Sequence, residues 1–519
     1  MDPAVMAQRE AYRAPFARRL ASGQACPFVI PYTIVASFAI PALWLALPHA
    51  NRPWLYRSRW LVFALVLLFN CYLLPRSSSH NFGLAYATGL TLAWGISTCF
   101  DLLILRTPQL DEARILRHHP TPGQTPPPVN PQASASPQLR RRHGKLGPAA
   151  TKLPPDTESY IWEPYPRHAS FLYRLNWVLD LMISLRGAGW NTAISSIPRP
   201  KTPSHIAHGD AVDMTAMPCV SRSGYRCFMT ERPFVRTSLA KILVCYFIID
   251  FISACCSFDP YFIYGPDYAH DAPPYLSGAP PWLLLVYREL ATITIVVATL
   301  EITYSFYSLS AYFLLKKCFP ARAVLWHFPS IFGSLSQVLD RGMAGLWGAW
   351  WHQILRQGFT APVTYLFKHR YLDKRSKLSG VVAVLVSFTL SGSLHALGSL
   401  TSLPDTKPWR PFSYFLLQAV GVLVQQVFSE ALRRVLPNIP RTLARTTNLL
   451  FVVAWMCCTS FLFIDDIASS GVWLAEAVPV SPSRLLGIVP STGPWWRWTV
   501  YEFPRWHWGK HWWQSGFAL

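Results

Sequence analysis

The sequence predicts an all-α fold, a polytopic bundle of about eight transmembrane helices, each needing roughly 20 apolar residues to cross a hydrocarbon core. Three observations predict it. Of the 519 residues, 51% are hydrophobic and only 14% charged, against about 25% charged in an ordinary soluble domain. The apolar residues stand in long runs rather than in short amphipathic periods. The Lys and Arg residues gather in the connections between those runs.

The expected spans are 27–48, 59–75, 82–105, 237–258, 282–315, 378–400, 411–431 and 447–466, each long and apolar enough to cross. The first run is long and lacks a small-residue cleavage site after it, so it reads as an anchor rather than a cleaved signal peptide. In a eukaryotic cell that implies entry at the endoplasmic reticulum. Between the third and fourth spans lies 106–236, whose first part, "HHPTPGQTPPPVNPQASASPQLRRRHGKLGPAATKLPP", cannot bury enough apolar surface to offset chain entropy. The expected division is therefore amino-terminal helices over 1–105, a mostly disordered cytosolic loop over 106–170, a helical core over 171–466 and a Trp-rich tail over 467–519. Order is expected to resume at "FLYRLNWVLDLMISLRGAGWN", where apolar positions recur at helical spacing.

The net charge of +21 does not point to nucleic acid, because the basic residues are scattered through loops and form no recognition pattern. They read as a positive-inside signal. The segments 106–236, 316–377 and 433–445 are then cytosolic, and 259–281, with Asp259, Asp267 and Asp271, is lumenal. That parity makes 282–315 one long helix. It also places the amino-terminal tail, with Arg9, Arg13, Arg18 and Arg19, in the lumen, against the same rule. The eleven cysteines have no metal-binding spacing and read as small buried hydrophobes, so no resident metal is expected.

Two segments carry chemistry. In "LWGAWWHQILRQ", residues 346–357, helical spacing puts His352 and Arg356 on one face and Trp347 and Trp351 on a neighbouring one. An interfacial helix with tryptophan anchors and a snorkelling arginine explains the same pattern. In "FTLSGSLHALGSL", residues 388–400, His395 lies late in an apolar span among Ser391, Gly392, Ser393, Gly398 and Ser399. Ionisable groups inside membranes are costly and mark function by default, and small residues let helices or a substrate approach closely. A neutral histidine bonded to a neighbouring helix is the structural alternative.

Taken in order, "LWGAWWHQILRQ" and "SGSLH" resemble the signature pair of the membrane-bound O-acyltransferase superfamily. The resemblance is to its wax-synthase-like branch, which includes fungal acetyltransferases of terpenoid and meroterpenoid alcohols. Upstream, "LRGAGWN", with Arg186, Trp190 and Asn191, is similar to a third motif of that branch, so the resemblance covers about residues 170–466. Where the broader superfamily has Trp-Asn, this chain has Trp351-His352.

The resemblance implies transfer of an acyl group from acyl-CoA, acetyl-CoA above all, to a hydroxyl of a lipophilic acceptor in the bilayer, with no permanently bound cofactor. His395 matches the superfamily's intramembrane histidine and takes the role of general base. His352 stands where the asparagine does and is the expected donor to the developing oxyanion, with Gln353 and Gln357 behind it. Arg356 is expected to meet the phosphates of coenzyme A. Trp347, Trp351 and Ser391 line the substrate, as do Arg186, Trp190 and Asn191. Nothing around Ser391 resembles a nucleophile elbow, so no acyl-enzyme is expected.

Long-chain wax-ester synthesis fits the same motifs, and a non-catalytic transporter is the alternative of another class, although the chain shows no internal repeat. The acceptor, its regiochemistry and the oligomeric state depend on geometry that no motif encodes. Two further expectations concern the carboxyl end. The tail at 494–514 packs seven tryptophans beside Arg497, Arg505 and Lys510 and reads as an amphipathic belt at the membrane surface. Asp465 and Asp466 read as solvated lumenal charges.

Overall fold

The structure is a computed structural model that describes residues 3–118, 159–267, 272–490 and 495–518. Helix dominates. The amino-terminal part contains α1 (Pro3–Ala21), α2 (Ile40–Leu45), α3 (Pro53–Arg57), α4 (Arg59–Leu73), α5 (Phe82–Cys99) and α6 (Pro108–Asp111). The centre contains α7 (Phe171–Ile183), α8 (Glu231–Cys256), α9 (Pro260–Tyr264) and α10 (Pro281–Cys318). Then follow α11 (Ser336–Gly345), α12 (Arg356–Lys368), α13 (Lys377–Leu400), α14 (Trp409–Val435), α15 (Arg441–Thr459), α16 (Phe461–Ser469) and α17 (Pro482–Leu485).

Five helical stretches are long and apolar enough to cross a membrane: 82–105, α8, α10, α13 and α14. The pair α15 and α16, bent by 43°, brings the number to six if it is one span. The expected spans at 27–48 and 59–75 are shorter helices. The first is an apolar segment, Tyr32–Leu45, that passes through 3-10 and π turns, and α4 has 15 residues. The 38-residue α10 is one continuous helix, as the charge parity requires.

The connection 106–170 is more ordered at its ends than its composition suggests. Residues 119–158, the bulk of the predicted disordered tract, lie outside the described residues. On either side, β4 (Ala113–His118) and β5 (Ser159–Pro164) pair antiparallel in a six-residue register. Order therefore resumes at Ser159, ahead of the expected Phe171. The reason is a buried ionic knot: Arg114, 1% exposed, donates to Glu163 and Asp180, and Arg322 reaches the same Asp180. Buried charges persist when paired and hydrogen-bonded, and these tie the two strands to α7 and to the segment after α10.

Polar contacts sort the connections into two ends. At one end, Lys368 pairs with Asp111 and Arg445 with Asp340. At the other, Arg9 and Arg497 share Glu476, Arg13 donates to the His80 carbonyl, Ser78 donates to the Thr401 carbonyl and Lys407 pairs with Asp267. The amino-terminal arginines belong to this second, acidic end, where 259–267 also lies. Arg9 and Arg13 are 2% and 4% exposed and held by contacts within the fold, with Arg13 also over the Tyr501 ring. Their charge is consumed by tertiary contacts, which is how a basic tail shares an end with the acidic loop.

The carboxyl tail is strand and short turns over its described residues. It forms β6 (Arg505–His507) and β7 (Gly516–Ala518), which pair antiparallel, and β7 also pairs with β2 (Val29–Ile30). The short strands β1 (Cys26–Pro27) and β3 (Ser77–Ser78) pair parallel beside it. Tryptophans 495, 496, 506, 508, 512 and 513 are exposed. Arg497 is instead buried on Glu476.

Helix α13 packs between α5 and α14, and its small residues permit it. A Cβ at Gly89 would sit 1.9 Å from the Leu397 carbonyl oxygen, so α5 and α13 touch backbone to backbone. Gly392 meets the α14 backbone at Phe412 in the same way, at 3.0 Å. This three-helix contact fixes the depth and the orientation of His395.

Candidate active site

The segment 346–357 is not one helix. Helix α11 kinks at Gly342, whose φ of 56° suits glycine, and the Gln425 side chain of α14 accepts a hydrogen bond from Met343 N at the kink. A π-helical turn, Leu346–Trp350, follows, and Trp351 is extended with ψ 149°. Helix resumes only at Arg356. The expected helical pairing of His352 with Arg356 therefore does not exist.

Gln353 and Arg356 hold the break together. The Gln353 amide donates to the carbonyls of Trp347 and Trp351, and Arg356 Nη1 donates to the Gly348 carbonyl and to Gln353 Oε1. These bonds satisfy carbonyls that the interrupted ladder leaves open. Both side chains were expected to face substrate and instead brace the loop. π-Helical interruptions occur often at functional sites, and this one presents His352.

The His352 ring lies 5.2 Å from Trp351, and its Nδ1 is buried with no hydrogen-bond partner. The Trp347 indole nitrogen is buried and unpartnered as well. Burial lowers the His352 pKa to about 4, and the nearby positive charge of Arg186 pushes in the same direction. The imidazole is therefore neutral at physiological pH.

His395 is half-buried on α13 and stacks on Phe415 of α14, with centroids 4.6 Å apart and planes 13° apart. Phe463 of α16 meets the ring edge-on at 5.4 Å. The Tyr86 hydroxyl of α5 lies 3.4 Å from His395 Nδ1 and donates to the His395 carbonyl at 3.3 Å. Ser391 stands one turn earlier on the same helix.

An unbroken run of rings joins the two histidines. Trp351 contacts Trp347 at 5.6 Å, Trp347 contacts Phe415 at 6.1 Å, and Phe415 carries His395. The imidazoles are near enough to act on one another electrostatically. Beside them lies a cavity of about 40 Å³, lined by Arg106 at the basic end and by Ser97, Gln357, Gly358 and Leu394, the residue before His395. It flanks the pair. Among the described residues no group of three His, Cys, Asp or Glu side chains is placed to hold a metal ion.

The third motif does not line this space directly. Arg186 donates to the carbonyls of Pro329 and Ser330 and to the Tyr304 hydroxyl. Trp190, 2% exposed, packs against Trp177 at 4.9 Å in the core. Asn191 clasps the backbone, accepting from Ala113 N and donating to the Asp111 carbonyl. Of these three side chains, expected to bind substrate, Arg186 holds the loop before α11, Asn191 braces the start of β4 and Trp190 fills the core. The motif still reaches the site through Tyr225, which lies under Arg186 at 6.0 Å and donates to the Trp351 carbonyl at 2.8 Å.

Sequence reasoning missed Tyr86, Phe415, Phe463 and Tyr225. None stands in a motif, and only folding brings them to their partners, which for Tyr86 and Tyr225 lie 309 and 126 residues away. Asp466 was misread. It is fully buried, not solvated, and accepts from Ser399 Oγ at 2.8 Å, while Asp465 accepts from the Tyr261 hydroxyl at 2.7 Å. An ionisable residue closing an apolar run was the signal available for it.

With that geometry in hand, residues 328–417 match the membrane bound O-acyl transferase family, a segment that contains both histidines. The chain is 24% identical to the O-mevalon transferase yanI of Aspergillus niger over 76% of its own length and 74% of the relative's. It is 26% identical to the acetyltransferase fsoF of Humicola fuscoatra over 25% of this chain and 33% of that protein. It is 28% identical to the acetyltransferase spyB of Aspergillus fumigatus over 21% and 18%. No solved structure matches. The apolar helices make the chain an integral membrane protein, and residues 328–417, which carry both histidines, are similar to the membrane bound O-acyl transferase family.

Proposed function

We propose that this protein transfers an acyl group, acetyl in the first instance, from acyl-CoA to a hydroxyl of a lipophilic acceptor such as a terpenoid or meroterpenoid. The reaction belongs to secondary metabolite biosynthesis in the endoplasmic reticulum membrane. The observation that carries the reading is the pair of buried donors without partners, His352 Nδ1 and Trp347 Nε1, beside the half-buried His395. A buried polar atom left unpaired costs about 1–3 kcal/mol, and a substrate carbonyl that accepts from it removes that cost.

In this reading His395 takes the acceptor's hydroxyl proton as its oxygen forms a bond to the thioester carbon. His352 and Trp347 donate to the carbonyl oxygen as it gains charge. Collapse of the adduct breaks the carbon–sulfur bond, and the proton on His395 leaves with the coenzyme A thiolate. No group on the protein is acylated. Gln353 and Arg356 act by holding the loop that carries His352.

A second reading has one observation in its favour. The relative matched over most of its length is named for a mevalon rather than an acetyl group, which supports a donor larger than acetyl. Microsomes containing the protein, incubated with acetyl-CoA, larger acyl-CoA thioesters including palmitoyl-CoA, and a panel of terpenoid and long-chain alcohols, test both. Ester formed from acetyl-CoA supports the first reading, and ester formed only from a larger donor supports the second. Absence of ester with every pair, from protein shown to be inserted, overturns acyl transfer.

A further inference from the structure

The hydroxyl of Tyr86 has a single hydrogen and two neighbours on His395, the backbone carbonyl oxygen and Nδ1. A carbonyl oxygen can only accept, so the contact from Tyr86 Oη to the His395 carbonyl oxygen, 3.3 Å, uses the tyrosine's hydrogen. The lone pairs of Oη are then what faces His395 Nδ1 at 3.4 Å. That arrangement is favourable only if Nδ1 carries the ring hydrogen, which leaves the lone pair on Nε2.

The surroundings keep Tyr86 in place. A Cβ at Gly398 would come within 2.8 Å of the Tyr86 ring, so only glycine there lets the ring lie against α13. One turn after His395, Ser399 donates to Asp466 Oδ1, while Asp466 Oδ2 is buried and has no hydrogen-bond partner. Asp466 also accepts from the Lys407 backbone, and it acts electrostatically on Tyr86. Arg410 and Asp465 are the other charged groups within its range.

We infer that Tyr86 is a positioning residue that holds His395 in the Nδ1–H tautomer with Nε2 free to accept a proton. The inference rests on the reading of His395 as the base. When Nε2 takes the proton, Nδ1–H already points at Tyr86 Oη, so charge is accommodated with no ring rotation. Residues that orient a reactive histidine in this way commonly contribute about 10- to 100-fold.

The experiment pairs steady-state kinetics with nitrogen NMR on full-length protein in lipid. In Tyr86→Phe, kcat falls by about 10- to 100-fold while KM for donor and acceptor stays within about twofold, because only the hydroxyl is lost. In protein labelled with 15N-histidine, the signal missing from His395→Ala shows Nδ1 protonated and Nε2 bare in the wild type. That tautomer is mixed in Tyr86→Phe. A wild-type Nε2–H tautomer, or a Tyr86→Phe variant with unchanged kcat, overturns the inference. The His395→Ala variant separates the two failures: if it keeps its activity, the base assignment itself falls, whereas an inactive His395→Ala beside a fully active Tyr86→Phe removes only the role of Tyr86.

Discussion

The 346–357 segment and the 186–191 segment carried the same kind of expectation, an arginine with tryptophan and an amide or imidazole neighbour, and the fold uses them in opposite ways. In 186–191 the polar side chains are spent on backbone: Arg186 on the Pro329 and Ser330 carbonyls, Asn191 on Ala113 and Asp111. In 346–357 some are spent likewise, Gln353 and Arg356 among them, but His352 Nδ1 and Trp347 Nε1 are buried and left over; in 186–191 the indole nitrogen of Trp190 is left over as well, but it sits in the apolar cluster around Trp177. The difference between the segments is therefore one of surroundings: an unmet hydrogen-bonding valence points to a ligand where it borders other reactive groups, as at His352 and Trp347, and not where it is enclosed by core side chains, as at Trp190.

The largest test of that difference is at the base. His395→Ala lowers kcat by about a hundred- to ten-thousand-fold in protein that still inserts, the range of a lost general base. His352→Ala loses about a hundred- to a thousand-fold, as for a missing oxyanion donor. His352→Asn restores part of that loss, since an amide also donates. Equal activity in His352→Ala and wild type breaks the comparison at its centre.

Asn191→Ala sharpens it from the other side. Two backbone groups lose their partner, so the folded chain is destabilised by about 1–3 kcal/mol, read as a lower midpoint of thermal unfolding. The kcat of the surviving folded protein changes by less than about threefold, in contrast to the loss expected for a donor that faces the transition state. A large loss of kcat with an unchanged unfolding midpoint would return Asn191 to the substrate.

The smallest expected effect is on pH stability. His352 is held near pKa 4 in the folded protein against 6.5 unfolded. Between those values the unfolded chain binds the proton and the folded chain does not, so stability from this group is complete above pH 6.5 and falls as pH drops towards 4. The unfolding midpoint of the wild type should fall across that window by more than that of His352→Asn. Identical slopes would place His352 in a more solvated setting.

Much of the fold was legible in the chain. The five long apolar stretches became five long helices, and α10 stayed continuous as the loop charges required. The two misjudged spans, at 32–45 and in α4, fail for a physical reason: apolar residues also serve as packing against neighbours, and apolarity alone does not reveal length once 3-10 and π turns intervene. The Pro-rich connection misled at its margins, because Arg114 and Glu163 are polar residues whose pairing is visible only when β4 and β5 meet.

Composition decided the medium, since long apolar runs require a bilayer, and it singled out His395 as a candidate, since a histidine inside such a run is costly. The tertiary structure alone decided which polar atoms are satisfied. Hydrogen bonds between Tyr86 and His395, or between Ser399 and Asp466, join residues that are 309 and 67 positions apart. No local periodicity encodes such a pairing, because it arises only when α5, α13 and α16 pack together and exclude water.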